Sequence, residues 1–171
     1  MTPEFVHLMF ERCQRARVVD HPIGPLPFLG EGQLRLFASI DFSSLPASLA
    51  GEVTPAEAHE LAQAGRARIV DVRTPPEYRD VGHVPGTPLV VWPRAGGTEE
   101  LQRFVEEFAE AHDPGDTLLL ICRSGARSHY AAHVLAQAGF AHVYNVLEGF
   151  EGGRPGEGWL AAGLPWERGA P

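Results

Sequence analysis

Lysine is absent from this sequence of 171 residues: all 14 basic residues are arginines, and 22 acidic residues bring the formal net charge to −8. Without a lysine amine, catalysis through a lysine Schiff base and phosphate binding by a P-loop lysine are both excluded. The acidic balance also disfavours binding to nucleic acid or to an anionic membrane, because both partners are negatively charged. We therefore expect neither as a partner.

Cysteine and long apolar runs are scarce as well. The two cysteines, Cys13 and Cys122, are too few for a disulfide framework or for a zinc site made of cysteines alone. No apolar stretch approaches the roughly 20 residues that cross a bilayer, and Glu4 stands where a signal peptide carries positive charge. These absences predict a soluble cytoplasmic protein and leave one reactive thiol as the chemistry to look for.

Two regions differ in their sequence pattern. Residues 1–50 predict an N-terminal extension of unknown role, with an amphipathic helix over about 3–17 and a proline-rich loop after it. Residues 51–167 form the predicted main domain, and 168–171 are left as a tail. The predicted strands of that domain are 67–72, 89–91, 117–122 and 142–147, and its predicted helices begin near residues 55, 75, 98, 126 and 159. Strands that are apolar throughout, alternating with helices, predict an α/β fold with a central parallel sheet flanked by helices on both faces.

A chemically unusual segment follows the most apolar predicted strand: Cys-Arg-Ser-Gly-Ala-Arg-Ser, residues 122–128. Ligands of parallel sheets bind at the carboxyl ends of the strands, which is where Cys122 falls. A tight turn there directs backbone N–H groups inward, and the start of the next helix adds its dipole, so a thiolate is favoured. Arg123 and Arg127 are able to fork onto an oxyanion, and Gly125 lets the backbone curl. A buried structural cysteine is the alternative, but it leaves the arginines and the glycine unexplained.

This segment resembles the active-site loop of the rhodanese-type sulfurtransferases. The resemblance continues in order through Asp71–Tyr78, Gly82–Gly86, Ala138–Phe140, Val143–Val146, Glu148–Gly149 and Ala161–Trp166. It implies a rhodanese-like three-layer fold and a catalytic Cys122 that carries a sulfane sulfur as a persulfide, with no metal and no cofactor. It also implies that the residues after the cysteine bind the substrate: Arg123, Ser124, Gly125, Ala126, Arg127 and Ser128.

Four residues outside the loop match supporting positions of that family: Asp71, Arg73, Glu77 and His83. For each we expect a cap or an ion pair rather than direct chemistry, with Asp71 accepting hydrogen bonds and Arg73 adding to the positive field of the pocket. His129 and His133 have a helical spacing that suits a metal, but no third ligand is evident, so we expect two ordinary helix histidines. The glycines of residues 149–158 predict a flexible loop, which would then form an extra flap beside the pocket.

The length of the loop separates related chemistries. Phosphatases and arsenate reductases of this fold place the arginine after five intervening residues, whereas Arg127 follows Cys122 after four. The tighter loop favours a thiolate that bears one extra sulfur over a tetrahedral phosphoryl or arsenate group. We expect sulfur to move from thiosulfate or a persulfide donor to a thiol or cyanide. Transfer to a protein acceptor, docked by residues 1–50, is the main alternative.

Overall fold

The computed structural model describes residues 49–93 and 97–169. The predicted N-terminal helix, the proline-rich loop and Cys13 lie outside these residues. The elements are, in chain order, β1 (Gly51–Val53), α1 (Pro55–Gln63), β2 (Arg68–Asp71), a π-helical turn (Glu77–Val81), α2 (Thr98–Ala111), β3 (Thr117–Ile121), α3 (Ala126–Gln137), β4 (His142–Val146) and α4 (Gly158–Ala161). Within the described ranges no helix has the length and apolar character needed to cross a membrane. The cytoplasmic location and the limits of the main domain stay predictions.

The four strands of the described residues form one sheet in which all neighbours are parallel, in the order β1-β4-β3-β2. The register aligns the ends of the strands. Asp71 at the end of β2 lies opposite Ile121 of β3, and Val53 of β1 lies opposite Val146 of β4. The carboxyl ends therefore meet at one edge of the sheet, where Cys122 directly follows β3. The predicted parallel α/β sheet is confirmed.

Both faces of the sheet are covered. On one face, α1 and α4 pack against alternate strand residues in an apolar cluster that includes Ala58, Ile69, Leu119, Ile121, Val146 and Trp159. Because side chains alternate along a strand, the intervening residues point to the opposite face, and they are fully buried as well: Val70, Leu118, Leu120 and Val143. α3 packs against β3 and β4, and Phe108 of α2 meets Phe140 edge to face, with 5.4 Å between the ring centroids.

Several helix boundaries follow the signals in the sequence. Thr54 caps α1 through its hydroxyl, which accepts from the N–H of Glu57, while the Glu57 carboxylate accepts from the N–H of Thr54 at 2.8 Å. Gly65 and Gly139 follow the ends of α1 and α3 with φ angles of 65° and 100°. This left-handed backbone is the usual way for a helix to stop. α2 begins at Thr98, as the sequence predicts.

Two details of the predicted strands are wrong. The run Leu89–Val91 is not a strand, since only its first residue forms a bridge, to Asp71 of β2. Val90 and Trp92 donate to the carbonyls of the consecutive residues Asp71 and Val72, so the parallel register is lost after the bridge, and Pro88 has no N–H group to extend it the other way. Conversely, Gly51–Val53 is a strand that the sequence does not predict. Its pairing with β4, and not an apolar pattern of its own, defines it.

The segment after β4 crosses close to the loop that follows β3. The N–H of Phe150 donates to the carbonyl of Cys122 at 2.8 Å, and the N–H of Glu151 donates to the carbonyl of Arg123 at 2.9 Å. Gly149 makes this approach possible, because its φ is +64° and a Cβ there would lie 2.4 Å from the Cys122 carbonyl oxygen. At its start, the glycine-rich stretch is therefore hydrogen-bonded to the cysteine loop instead of forming an unattached flexible loop.

Replacing Gly149 by alanine should destabilise the domain strongly. The left-handed backbone alone costs a residue with a Cβ about 1–3 kcal/mol, and the collision with the Cys122 carbonyl adds to that cost. Gly65→Ala is the matched control, because its φ is +65° and no heavy atom lies within 4 Å of the added Cβ. Urea unfolding should show the larger loss of free energy for Gly149→Ala. Equal losses in the two variants would contradict the close approach.

Candidate active site

The loop of residues 122–128 joins β3 to α3 and presents backbone donors. The N–H groups of residues 123–127 donate to no other residue in the described part of the chain. Gly125, with a φ of 87°, is the N-cap of α3, so the last of these donors belong to the first turn of that helix. Unpaired N–H groups in a turn that leads into a helix form a cradle for an anion.

Cys122 lies at the base of this loop and is only 1% exposed. The Oγ of Ser128, from the first turn of α3, lies 3.3 Å from its Sγ. The same hydroxyl lies 2.7 Å from Oδ1 of Asn145 and 3.2 Å from the carbonyl oxygen of Gly125. Asn145 is not among the site residues that the sequence predicts. The available signal is an amide side chain within a predicted strand.

Arg127 and Glu77 form a two-pronged ion pair beside the loop. Nη1 of Arg127 lies 2.9 Å from Oε2 of Glu77, and Nη2 lies 2.5 Å from Oε1. The N–H and hydroxyl of Thr74 also donate to Oε2 of Glu77. Partial burial by itself would raise the pKa of Glu77, but the hydrogen bonds from Arg127 and Thr74 lower it to about 2. The pKa of Arg127 is raised, chiefly by Glu77 and to a smaller degree by the nearby Cys122.

The outer part of the loop is exposed and carries a second arginine. Arg123, Ser124 and Ala126 all face solvent. The Arg123 side chain is 62% exposed, and its Nε lies 3.6 Å from Oε2 of Glu151. An ion pair this long and this exposed contributes little stability. Arg123 therefore retains most of its donors for a ligand, whereas Arg127 shares its guanidinium with Glu77.

Asp71 and Arg73 form a fully buried ion pair at the end of β2. Asp71 accepts from the N–H and the guanidinium of Arg73 at 2.7 to 3.0 Å, and Arg73 also donates to the carbonyl of Gly82 at 2.6 Å. The guanidinium carbon lies 4.2 Å from the centre of the Phe150 ring. Because Phe150 is hydrogen-bonded to Cys122, this pair supports the loop from beneath. The adjacent carboxylate balances the charge of Arg73, so its expected contribution to a positive field is largely cancelled.

His83 is held by contacts away from the loop residues. Its ring stacks on Tyr78 with 3.7 Å between centroids, and its Nδ1 lies 3.2 Å from the carbonyl oxygen of Tyr78. Nε2 of His83 lies 3.4 Å from Oε1 of Glu167, and the backbones of these two residues bridge as well. These contacts hold the segment around Glu167 against the segment that contains His83, so the role of His83 is structural.

The two histidines of α3 contact each other. Their Nε2 atoms, on His129 and His133, lie 3.2 Å apart, and Nδ1 of His129 lies 3.1 Å from Oε1 of Glu52. Across residues 49–93 and 97–169, no group of three or more His, Cys, Asp or Glu side chains is arranged to hold a metal ion. Glu52 is a further residue near the site that the sequence does not predict, since no motif surrounds it in the chain.

The described residues combine a parallel α/β sheet with a cysteine that begins the loop at its carboxyl edge. The family model of the rhodanese-like domain matches residues 54–154, which is more than half of the chain. The chain belongs to the rhodanese-like domain family. The fold and the family that the sequence resemblance implies are thereby confirmed.

Three relatives illustrate the similarity. Uncharacterized protein RP600 of Rickettsia prowazekii is 34% identical over 104 residues, which cover 59% of this chain and 83% of that protein. Thiosulfate sulfurtransferase 16, chloroplastic, of Arabidopsis thaliana is 33% identical over 125 residues, which cover 72% of this chain and 94% of that protein. The crystal structure of Rv0390 from M. tuberculosis shares 38% identity with a TM-score of 0.60, over 71% of this chain and all of that one.

The ion pair of Glu77 should make the stability of the domain sensitive to acid. Because the folded-state pKa of Glu77 is lowered from 4.5 to about 2, its ionised form stabilises the fold above pH 4.5, and this contribution is lost as the pH falls towards 2. Glu77→Gln should lower the free energy of unfolding near neutral pH and remove part of the decline between pH 4.5 and 2. Urea unfolding at a series of pH values measures both effects.

Asp80→Asn is the control for that experiment. Asp80 pairs with Arg79 in an ion pair whose side chains are more than half exposed, so its removal should have a much smaller effect. If Glu77→Gln unfolds with the same pH dependence as the unsubstituted protein, the pair with Arg127 does not stabilise the loop.

Proposed function

We propose that this chain is a sulfurtransferase that accepts a sulfane sulfur from thiosulfate or a persulfide donor and carries it as a persulfide on Cys122. The observation that carries the proposal is the position of this cysteine. Its sulfur lies at the base of a loop whose N–H groups, from residues 123–127, donate to no other described residue. The similarity to a thiosulfate sulfurtransferase of Arabidopsis thaliana supports the same class of reaction.

In the first half of the reaction, the Cys122 thiolate attacks the outer sulfur of thiosulfate. A new S–S bond forms at Cys122 while the S–S bond of the donor breaks, and the electron pair of the broken bond leaves with sulfite. The negative charge of the thiolate passes to the outer sulfur of the new persulfide. Backbone N–H groups of the loop, which donate to no other described residue, are available to stabilise this charge without reorganising.

In the second half, a nucleophile removes the outer sulfur. Cyanide attacks it, the S–S bond of the persulfide breaks, and the electron pair returns to Cys122 as the thiolate, with thiocyanate as the product. A thiol, whether on a small molecule or on a protein, takes the place of cyanide in the same step. Two half-reactions joined by a covalent intermediate give ping-pong kinetics.

The two loop arginines have different roles in this proposal. Arg123 is exposed and only weakly paired, so its guanidinium is available to bind the sulfonate oxygens of thiosulfate as the donor arrives. Arg127 is fixed by Glu77, whose carboxylate balances much of its charge, so its main role is to hold the loop in place beside the reacting sulfurs. The exposed arginine favours binding of the donor.

The burial of Cys122 restricts which molecules react with it. A thiol that is only 1% exposed is reached by a donor with a terminal, protruding sulfur atom rather than by a bulky group. Once transferred, the outer sulfur lies about 2 Å beyond Sγ, the length of an S–S bond. The acceptor therefore needs to reach only this outer sulfur, while Cys122 itself stays enclosed.

Cys122→Ser should abolish transfer of sulfur from thiosulfate to cyanide. Without the thiolate no persulfide forms, so the rate of thiocyanate formation should fall by a factor on the order of 10³ or more. Cys13→Ser is the matched control, because it removes the other thiol of the chain, and it should retain turnover. Circular dichroism and thermal unfolding establish that both variants remain folded.

Two results would overturn the assignment. One is substantial thiocyanate formation by folded Cys122→Ser. The other is hydrolysis of an aryl phosphate by the unsubstituted protein at a higher rate than its release of sulfite from thiosulfate, which would favour phosphatase chemistry in the same loop.

Arg123→Ala should raise the KM for thiosulfate by about tenfold, the effect of losing one charge-assisted hydrogen bond. The kcat should change little, because Arg123 is proposed to act on binding of the donor. Arg154→Ala is the control, since it removes an equally exposed arginine from the glycine-rich segment. Steady-state kinetics with varied thiosulfate measure the difference, and equal KM values for the two variants would contradict the role of Arg123.

A further inference from the structure

A continuous run of hydrogen bonds leads from the Cys122 sulfur to the surface. Ser128 Oγ lies 3.3 Å from Sγ of Cys122 and 2.7 Å from Oδ1 of Asn145, and both Ser128 and Asn145 are buried. Nδ2 of Asn145 lies 3.0 Å from Oε1 of Glu52, which is also 3.1 Å from Nδ1 of His129. The run joins the cysteine loop to α3, β4 and β1, and it ends at a half-exposed carboxylate.

Glu52 fixes the direction in which the Asn145 amide faces. A carboxylate only accepts hydrogen bonds, so the amide nitrogen faces Glu52 and the amide oxygen faces Ser128. The hydrogen bond from Asn145, and after it the contact with His129, hold the pKa of Glu52 below its ordinary value. Glu52 is therefore ionised near neutral pH, and the orientation of the amide is fixed there.

The amide oxygen of Asn145 in turn fixes the Ser128 hydroxyl. A serine hydroxyl has one proton to donate, and three acceptors surround it here. Asn145 is at 2.7 Å, whereas the Gly125 carbonyl and the Cys122 sulfur are at 3.2 and 3.3 Å. The shortest contact takes the proton, so the oxygen of Ser128 presents a lone pair to Cys122.

A lone pair suits one protonation state of the cysteine better than the other. The thiol S–H is able to donate to the Ser128 oxygen, whereas a thiolate has no proton and needs a donor. To supply one, the Ser128 hydroxyl must turn towards the sulfur and give up its 2.7 Å hydrogen bond to Asn145. The run from Glu52 therefore opposes the loop amides, which favour the thiolate.

We propose that Glu52 and Asn145 are positioning residues of the sulfur-transfer site: acting through the Ser128 hydroxyl, they favour the thiol form of Cys122 until a donor enters the loop. The biological role of this arrangement rests on the proposed function: it would limit the ionised fraction of a nucleophile that otherwise oxidises readily. The experiment is independent of that function, because the ionisation of Cys122 is measured without a sulfur donor.

Other charged groups also act on the cysteine and must stay constant in that test. They come from every element around the loop: Arg123 within it, Arg127 of α3 with Glu77, the pair Asp71 and Arg73 after β2, and Glu148 and Glu151 after β4. Glu52 itself faces His129, which in turn contacts His133. The variants chosen below leave all of these groups except Glu52 in place.

Alkylation of Cys122 by iodoacetamide is slow because the thiol is buried, but the pH midpoint of its rate, followed by mass spectrometry of the Cys122 peptide in the full chain, reports ionisation independently of access. Asn145→Leu removes the acceptor of the Ser128 proton, so the hydroxyl is released to the sulfur. The midpoint of the pH profile should fall, and alkylation near neutral pH should become about two- to tenfold faster, the range for one hydrogen bond. Glu52→Gln should also lower the midpoint and speed alkylation, but by a smaller factor. The glutamine side chain both donates and accepts hydrogen bonds, so it no longer fixes which way the Asn145 amide faces.

The same substitutions in a Ser128→Ala background test whether the effect passes through the hydroxyl. Asn145→Leu should then leave the alkylation rate unchanged, since there is no hydroxyl proton to release. Glu52→Gln should keep only the direct effect of losing a surface charge. Glu60 is an exposed glutamate of α1, so Glu60→Gln in the otherwise unsubstituted protein measures how much the loss of one surface charge changes the alkylation rate.

Two outcomes would overturn the inference. One is an unchanged pH profile in folded Asn145→Leu and Glu52→Gln. The other is an equal shift with and without the Ser128 hydroxyl, which would mean that charge or packing acts on Cys122 directly. Failure of sulfur transfer by the unsubstituted protein would contradict the proposed function but would leave these alkylation results intact, so the two failures are distinguishable.

Discussion

Backbone hydrogen bonding between the segment after β4 and the cysteine loop is the contact on which the candidate site depends. Phe150 and Glu151 donate to the carbonyls of Cys122 and Arg123. In a trans peptide the N–H points away from the carbonyl, so engaging these carbonyls on one side leaves amides of the loop for an anion on the other. A Cβ at position 149 would lie 2.4 Å from the Cys122 carbonyl oxygen. The position of the Cys122 backbone therefore depends on a glycine at position 149, although the two residues are far apart in the chain.

The local electrostatics of the site differ from those of the chain as a whole. A formal charge of −8 coexists with a loop that has two arginines and a set of backbone amides without acceptors among the described residues. Glu77 removes much of the freedom of Arg127, whereas Arg123 remains exposed. The loop amides favour a negative charge at the Cys122 sulfur, whereas the orientation that we infer for the Ser128 hydroxyl opposes it. Two opposing influences therefore meet at the reacting atom.

The parts of the site that are contiguous in sequence were predictable from the residues themselves, whereas Glu77 was expected to form a cap or an ion pair only from the family resemblance, and Glu52 and Asn145 were not expected. Residues 122–128 carry the cysteine, the arginines and the glycine together, and the apolar run of β3 before them predicts a strand of a parallel sheet. Glu77 is 50 residues from Arg127, and Glu52 is 93 residues from Asn145, so no spacing in the chain connects them. β1 was not predicted for the same reason: its three residues are defined as a strand by their pairing with β4, which is distant in the chain.

The central claim is that Cys122 carries the sulfur in transit. Intact-mass analysis of the full chain after incubation with thiosulfate, followed by peptide mapping without reductant, tests it most directly. We expect a gain of one sulfur atom on the Cys122 peptide and loss of that sulfur on addition of cyanide. An unchanged mass, or an added sulfur found on the Cys13 peptide and not on that of Cys122, would contradict it.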